Sequence, residues 1–349
     1  MGFSWYNQFD LGLRGSYTLG NQIVSRTHRR ITVSAELASA AERDAAALAL
    51  AGSIVSLYYG WHYDQARLQL VNERLTTLNQ AAKIYQARAN AQIARVEDER
   101  TVEIEQLETR EQQSELEDSA DLRRVALAAL VGCAPQTLPP FTVQALPVLT
   151  QALPANASLD LIARRADIIA ARWRVEATLG ERDSARRKFY PDISLSALLG
   201  FSSLHIGQLL GAATATPLFA TALHLPIFDG GALRARYATS QAQLTAVVAQ
   251  YQGTIVAAAR EVNTQLATRS HDFAHLSVLA QEVAAADSLR GAAMQRANAG
   301  LTDARPVFTA TVHWLRLREA LLVGEYTHLG TELALIRALG GGYHTDLKL

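Results

Sequence analysis

Two stretches of the sequence, residues 22–89 and 231–298, each run for 68 residues without a proline. At the 1.5 Å rise per residue of an α-helix, each can form a single helix roughly 100 Å long. A compact domain cannot bury a helix along such a length, and helices in proteins owe most of their stability to packing. The feature therefore favours extended, paired helices over a globular domain.

The two stretches belong to copies of one unit, separated by 208 residues. The string RANA occurs at Arg88–Ala91 and again at Arg296–Ala299, and the ungapped shift keeps its phase from about residue 17 to residue 132. A four-residue match alone would be chance, but a phase kept over this distance is not. We therefore predict an internal two-fold repeat, with a partial first copy at 1–132, a Pro-rich connection at 133–157, a second copy at 158–342 and a tail at 343–349.

Apolar residues recur in both copies with a period of 3.5, the spacing of helices that supercoil around each other. The seam runs from Leu68 to Ala89 and again from Leu276 to Ala297, where Arg290 is a polar exception. A further helix follows each RANA string, and in the second copy only Glu319 interrupts its seam. One such stripe is typical of ordinary helix packing, but the length of these favours long antiparallel coiled helical hairpins, the second at residues 231–339.

A different pattern fills residues 193–228, where 36 residues pass without Asp, Glu, Lys or Arg although 19% of the chain is charged. Glycines and Pro217 interrupt this stretch too often for a membrane-spanning helix. Residues 193–201 instead alternate between apolar and polar, as a strand with one apolar face does. Residues 219–227 do nearly the same. We predict a membrane β-hairpin within residues 191–228, with a loop at about 202–217.

The 208-residue shift maps the second strand of this hairpin onto residues 9–19, where apolar side chains also alternate with polar ones. Turning Arg14 toward the middle of a bilayer would cost roughly 2 to 4 kcal/mol. The face that carries Asp10 and Arg14 should therefore line a water-filled lumen. A soluble amphipathic sheet is the alternative interpretation.

The same shift places the partners of the helix that begins near Ser158 and of the strand that begins at Asp192 before Met1. We therefore expect a further helix, a further strand and any export signal upstream. Truncation, a start codon set too far downstream or a boundary chosen for expression would each explain this. Upstream sequence in the same frame without such elements would contradict the expectation.

No pattern favours catalysis, a cofactor or a metal, since phosphate-binding, dinucleotide-binding and metalloprotease motifs are missing from the sequence. His271 and His275 lie one helical turn apart, but no third ligand is evident, so solvated helix residues are the better interpretation. The 33 basic and 33 acidic residues give no net charge, which leaves nucleic acid binding without electrostatic support. Cys133, the single cysteine, cannot form an internal disulfide.

Several segments resemble a known family, the TolC-like outer membrane factors of tripartite efflux systems, and within it the NodT-type branch. The most specific is Leu161–Phe201, which resembles the family's helix running into a membrane strand, with Ala166 where a proline is usual. Shorter matches are LPIFDGG at Leu225–Gly231, NAGLTD at Asn298–Asp303 and ALGGG at Ala338–Gly342. The resemblance covers essentially the whole chain.

This resemblance implies a mostly α fold with membrane β-strands. Each subunit of a homotrimer would give four strands, three of them recognised in this sequence, to a shared barrel in the lipid of the outer membrane. Its helices would form an α-barrel across the periplasm. A periplasmic adaptor and an inner membrane pump would be its partners. The implied function is a passive exit duct for small molecules; a soluble or peripheral coiled-coil scaffold or adaptor and a type I secretion conduit for polypeptides remain alternatives.

In this family the helix turns at the periplasmic end close the tunnel and meet the adaptor, which by position implicates residues 90–95 and 298–305. The tip residues are Asn90, Ala91, Gln92, Ile93, Asn298, Gly300, Leu301 and Thr302. Asp98 lies where relatives often place an acidic residue at the constriction, whereas Pro306 and Thr309 occupy such positions in the second copy. Asp303 and Arg305 could form inter-helix charge pairs that hold the tip shut, or they could be a solvated turn with exposed ion pairs.

Overall fold

The computed structural model describes residues 7–18, 21–93, 96–148 and 163–341. Within these ranges the chain is mostly helical, with one small sheet and three short 3-10 turns. In chain order the elements are β1 (Phe9–Thr18), α1 (Asn21–Asn90), α2 (Val96–Val131), α3 (Ala166–Arg187), β2 (Asp192–Ser203), β3 (Ala215–His224), α4 (Ala232–Asn298) and α5 (Arg305–Ala338). The mostly α fold with β-strands is confirmed.

The chain divides into two compact units. Unit 1 contains Met1–Arg43 and Ala166–Ile255, and unit 2 contains Asp44–Arg165 and Val256–Leu349. Both α1 and α4 contribute residues to each unit. The predicted repeats are continuous segments of the chain, whereas each compact unit combines segments from both repeats. The division into repeats therefore stays a prediction. The tail at 343–349 lies outside the described residues.

The three strands form one antiparallel sheet in the order β1-β2-β3, in agreement with the predicted hairpin and amino-terminal strand. The predicted loop was too long, because β3 begins at Ala215 and Pro217 lies inside it, paired with Leu199. Proline is tolerated there because β3 is an edge strand of the described sheet and needs no N–H on its outer side. β3 also ends earlier than predicted, at His224.

The two proline-free stretches form the continuous helices α1 and α4. The helix predicted from Ser158 begins later: residues 163–165 lie before the helix, α3 starts at Ala166, and residues 158–162 lie outside the described part. Asp167 favours this start because its carboxylate lies in the first turn and accepts the backbone N–H of Ile168 at 2.9 Å. Among the described helices, none combines the length and the apolar character needed to cross a membrane.

The core of unit 2 follows the predicted seams. Leu68 and Val71 of α1 pack with Leu116 of α2 and are buried, which confirms that the first seam faces a partner helix. The Pro-rich connection packs against the same helices, since Leu138 joins Leu127 and Ala128 in a second buried cluster. Such narrow seams bury little apolar surface per residue, as expected of helical hairpins rather than a globular core.

Candidate functional site

One face of the sheet is apolar across all three strands. The register places Leu13 opposite Leu199, Tyr17 opposite Leu195 and Ile193 opposite Leu223. These side chains contribute to no core: Leu13 is 80% exposed, Leu223 68% and Leu195 44%. A contiguous exposed apolar surface of this kind marks contact with lipid or with another protein. Packing of these leucines inside a compact soluble body, which would contradict a membrane sheet, does not occur.

The opposite face is polar on β1 and on most of β2, whereas β3 adds Leu218, Ala220 and Ala222 to it. Its register pairs are Asp10 with Ser202, Ser16 with Ser196, and Thr18 with Ser194, with the aliphatic Leu198 opposite Arg14. The side-chain amide of Gln8 donates to the carboxylate of Asp10 and to the hydroxyl of Ser202, each at 3.1 Å. Asp10 and Arg14 therefore share one face, as predicted, while their place in a water-filled lumen stays a prediction.

The two helix tips have the same backbone geometry. The 208-residue shift aligns Gln92 with Gly300, and both residues are left-handed, with φ of 57° and 70°. In each tip the next residue, Ile93 or Leu301, donates its N–H to the carbonyl five residues earlier, at 3.0 Å. This is the Schellman termination, which normally places glycine at the left-handed position. Arg95 lies outside the described residues, so the end of the first turn is not placed.

Gln92 carries a side chain where its counterpart has none, and a left-handed backbone costs such a residue roughly 1–2 kcal/mol. We expect Gln92→Gly to raise the free energy of unfolding by about 0.5–1 kcal/mol and Gly300→Ala to lower it by about 1 kcal/mol. Denaturant unfolding followed by far-UV circular dichroism would measure both. Gln113→Gly, in the interior of α2, is the control and should have the opposite sign to Gln92→Gly. A destabilising Gln92→Gly would contradict the strained turn.

The charge pairs at the tips combine the two predicted alternatives, because Asp303 pairs both within its own turn and with another helix. Arg305 binds Asp303 within the same turn, through its backbone N–H at 3.1 Å and its Nε at 2.8 Å. The contact between hairpins comes instead from Arg88, whose Nη1 lies 3.3 Å from Asp303 Oδ2 and whose Nη2 donates to the Ile93 carbonyl. Burial is the largest single influence on Asp303 and acts to raise its pKa, but the hydrogen bonds from Arg305 and the charges of Arg305 and Arg88 together outweigh it and hold the pKa below the ordinary value. We call Arg88, Asp303 and Arg305 the tip latch.

Asp98 lies in the first turn of α2, between Glu97 and Glu99. Carboxylates at this position are favourable because they face the positive end of the helix dipole. Pro306 lies in the first turn of α5, where the missing N–H costs nothing. Both arrangements explain local helix starts, and the role of Asp98 at a constriction stays a prediction.

Glu319, which interrupts the predicted seam, is the centre of a buried polar cluster. It is 8% exposed and accepts Arg67 Nη2 at 2.7 Å and Arg74 Nη1 at 3.2 Å. Gln112 of α2 donates to the same carboxylate. The cluster therefore links α1, α2 and α5 through one buried charge. The sequence contained a signal for it, because Arg67 and Arg74 are seven residues apart and share a helix face.

A second polar cluster lies one to two turns away on the same helices. Asp64 accepts Arg123 Nε at 2.6 Å and the Ser119 hydroxyl at 2.9 Å. Next to it the rings of Tyr63 and Tyr326 are stacked with centroids 4.1 Å apart. The other polar exception of the predicted seams, Arg290, stacks over Trp314 at 4.0 Å and pairs with Asp287. These contacts fix the register of the hairpins in unit 2.

The described residues contain no group of three or more His, Cys, Asp or Glu side chains placed to hold a metal ion. Near His271 and His275, Asp272 accepts the hydroxyl of Thr331 at 2.7 Å. This neighbourhood therefore has a structural explanation in the packing of α4 against α5.

Comparison with known proteins gives consistent matches along the chain. A family model described as outer membrane efflux protein matches residues 158–341. The multidrug resistance outer membrane protein MdtQ of Escherichia coli is 32% identical over 352 residues, which span 97% of this chain and 71% of that protein. MdtP of Escherichia coli is 29% identical over 356 residues, with 97% and 70% coverage. The crystal structure of the outer membrane protein VceC of Vibrio cholerae matches with a TM-score of 0.86 at 27% identity, covering 98% of this chain and 82% of that one.

Proposed function

The chain belongs to the outer membrane efflux protein family, and from this premise we propose how its parts act in transport. It is a component of an efflux channel-tunnel of the outer membrane. The observation that carries the proposal is the sheet, whose one face is apolar and exposed while the other is mostly polar on β1 and β2. The apolar face would contact lipid acyl chains, and the face with Asp10 and Arg14 would line the aqueous pore.

The working assembly, in our proposal, is a homotrimer in which subunits share one barrel and one helical tunnel. A periplasmic adaptor would bind the helix tips, and an inner membrane pump would supply the energy. The channel itself would perform no chemistry. The relatives MdtQ and MdtP are named for multidrug resistance, which favours small organic molecules over polypeptides as cargo.

We place adaptor contact at the two helix tips, Asn90–Ile93 and Asn298–Thr302. Their shared backbone geometry presents Ile93, 63% exposed, and Leu301, 76% exposed, at equivalent positions. Exposed apolar side chains at a rigid turn suit a protein partner. Adaptor binding would shift the tips from a closed to an open arrangement by favouring the open one.

The tip latch would bias the channel toward its closed state. Asp303→Asn keeps the shape of the side chain but removes the charge that Arg88 and Arg305 bind. Because such partly exposed pairs contribute about 0–1 kcal/mol, we expect the open probability in planar bilayers to rise by up to about 5-fold. Asp121→Asn, an exposed carboxylate of α2, is the control and should leave gating unchanged. If Asp303→Asn leaves the open probability unaltered, Asp303 has no role in closing the channel.

The latch should also have a defined pH dependence. The pKa of Asp303 lies below its ordinary value of 3.8, so the latch is present above that pH and is lost as the pH falls through the lowered pKa. We therefore expect closed-state conductance to be constant from neutral pH to about pH 5 and to rise only below about pH 4. Loss of closure near pH 6 would show that a different group controls the tip.

A further inference from the structure

Unit 1 contains a cleft of about 610 Å³ where α1, α3 and α4 leave the sheet. Its lining contains two cations, an imidazole, one carboxylate and three hydroxyls, which belong to Lys188 and Arg236, His28, Glu181, and Ser184, Thr239 and Ser240. The cleft is not part of the pore face or the helix tips. Its chemistry is that of an anion site with more positive than negative charge.

The residues that line the cleft belong to helix segments that adjoin one end of the three strands, which places the cleft at the membrane boundary. Thr18, Asp192 and His224 are terminal residues of the three strands and lie at the same end of the sheet. Lys188 precedes β2 by four residues. The connections between this end of the sheet and the helices carry exposed aromatic side chains, among them Tyr190, 60% exposed, and Phe228, 93% exposed. Aromatic side chains at the ends of membrane strands are typical of the headgroup region. The cleft therefore lies at headgroup depth.

The cations of the cleft are available to a ligand. Within the described part of the chain, Lys188 and Arg236 form no ion pair, whereas the neighbouring Arg187 binds Thr27. The hydroxyl of Ser240 already donates to the Arg236 carbonyl at 3.0 Å, so the cleft's donors to an anion are Lys188, Arg236, Ser184 and His28. A phosphodiester accepts this set of donors, and Arg and Lys are the usual phosphate partners.

We propose that this cleft binds the phosphodiester headgroup of an anionic phospholipid from the adjoining leaflet. Lys188 and Arg236 would hold the phosphate oxygens, and the acyl chains would lie against the apolar face of the sheet. Basic pockets at the membrane boundary bind anionic lipid headgroups in this way. The inference rests on the proposed function insofar as the sheet must span a membrane.

The test compares two double variants that each remove two positive charges from the same segments. Lys188→Gln/Arg236→Gln changes the cleft, while Arg186→Gln/Arg234→Gln changes exposed residues that do not line it. The purified, delipidated protein is titrated with short-chain phosphatidylglycerol, short-chain phosphatidylcholine and inorganic phosphate, and bound lipid is counted by native mass spectrometry. We expect preferential binding of phosphatidylglycerol, weakened about 5-fold for each lost cation and roughly 30-fold in the cleft variant.

If phosphatidylglycerol binding weakens equally in both variants, the proposed site is wrong, because the lipid would then be attracted by the positive charge of the whole region rather than bound in the cleft. Binding of inorganic phosphate as tight as that of phosphatidylglycerol would overturn the lipid assignment. Helical content of each variant, measured by circular dichroism, identifies misfolding. Should Lys188→Gln/Arg236→Gln misfold, the milder Lys188→Gln must still weaken phosphatidylglycerol binding. Flotation of the unaltered protein with vesicles separately tests membrane insertion, so failure of the proposed function can be told apart from failure of the lipid site.

Discussion

Glu319→Ala is expected to destabilise unit 2 by about 3–5 kcal/mol, because it leaves the buried Arg74 and the partly buried Arg67 without their shared counter-charge. Arg74 is itself nearly buried, with 8% of its side chain exposed, and burial lowers its pKa. The lost carboxylate also removes the acceptor of Gln112. Denaturant unfolding of the detergent-solubilised protein, followed by circular dichroism, would measure the change.

The repeat supplies the control for this experiment. Glu111 is the counterpart of Glu319 under the 208-residue shift and is exposed, so Glu111→Ala should change the free energy of unfolding by less than about 0.5 kcal/mol. A combined Arg67→Met/Arg74→Met/Glu319→Leu variant should recover much of the lost stability, because no buried charge remains unpaired. If Glu319→Ala costs no more than Glu111→Ala, the cluster does not stabilise the hairpins.

Ala197→Arg is expected to impair membrane insertion by roughly 2–4 kcal/mol, since it places a charge on the apolar face near the middle of β2. Ser196→Arg is the matched control: it is the adjacent residue, is similarly small and points to the polar face, opposite Ser16. We expect its insertion to remain close to that of the unaltered protein. The two variants therefore differ in the direction of one arginine and in little else.

The measurement is the fraction of each protein that stays in the membrane after a urea or carbonate wash. Ala197→Arg should be recovered mainly in the wash, and Ser196→Arg mainly in the membrane. Circular dichroism of each purified variant would establish, from its helical content, that unit 2 still folds in both. Equal retention of the two variants would contradict a lipid-facing assignment of the apolar face.

The elements that follow from periodicity were predictable from the sequence. Helices α1 and α4 and the three strands rest on patterns that extend over nine residues or more, long enough to distinguish the helical period from the strand period. Their ends were less certain. The predicted loop extended to Pro217. Proline disfavours strands in general, and the edge position that makes Pro217 tolerable in β3 depends on strand order.

The charged contacts could not be predicted in the same way, because they depend on which helix faces which. Arg88 stood in the repeated RANA string, yet its partner Asp303 is 215 residues away. For Arg305 the sequence left open an inter-helix pair or a solvated turn with exposed ion pairs, and the bond within its own turn is nearer and costs less side-chain entropy. Glu319 appeared as an interruption of its seam. The spacing of Arg67 and Arg74 indicated a shared helix face, but it did not identify Glu319 as their partner, because the two arginines belong to another helix.

The cleft that Lys188 and Arg236 line was not predicted from the sequence. These residues are 48 positions apart in the chain and line one cleft because α3 leads into β2, β2 pairs with β3, and β3 leads into α4. Runs of basic residues near helix ends are usually read as solvated. Their position beside the aromatic end of the sheet is a property of the fold rather than of any local motif.

The central claim is that the apolar face of the sheet contacts lipid while the polar face contacts water. Nitroxide labels at single cysteines from residue 195 to residue 200, in a Cys133→Ser background and in lipid vesicles, test it directly. Collision with oxygen, which concentrates in the bilayer, should be high at 195, 197 and 199, and collision with a water-soluble nickel chelate should be high at 196, 198 and 200. Accessibility to the nickel chelate at every position, with no two-residue period, would contradict the account.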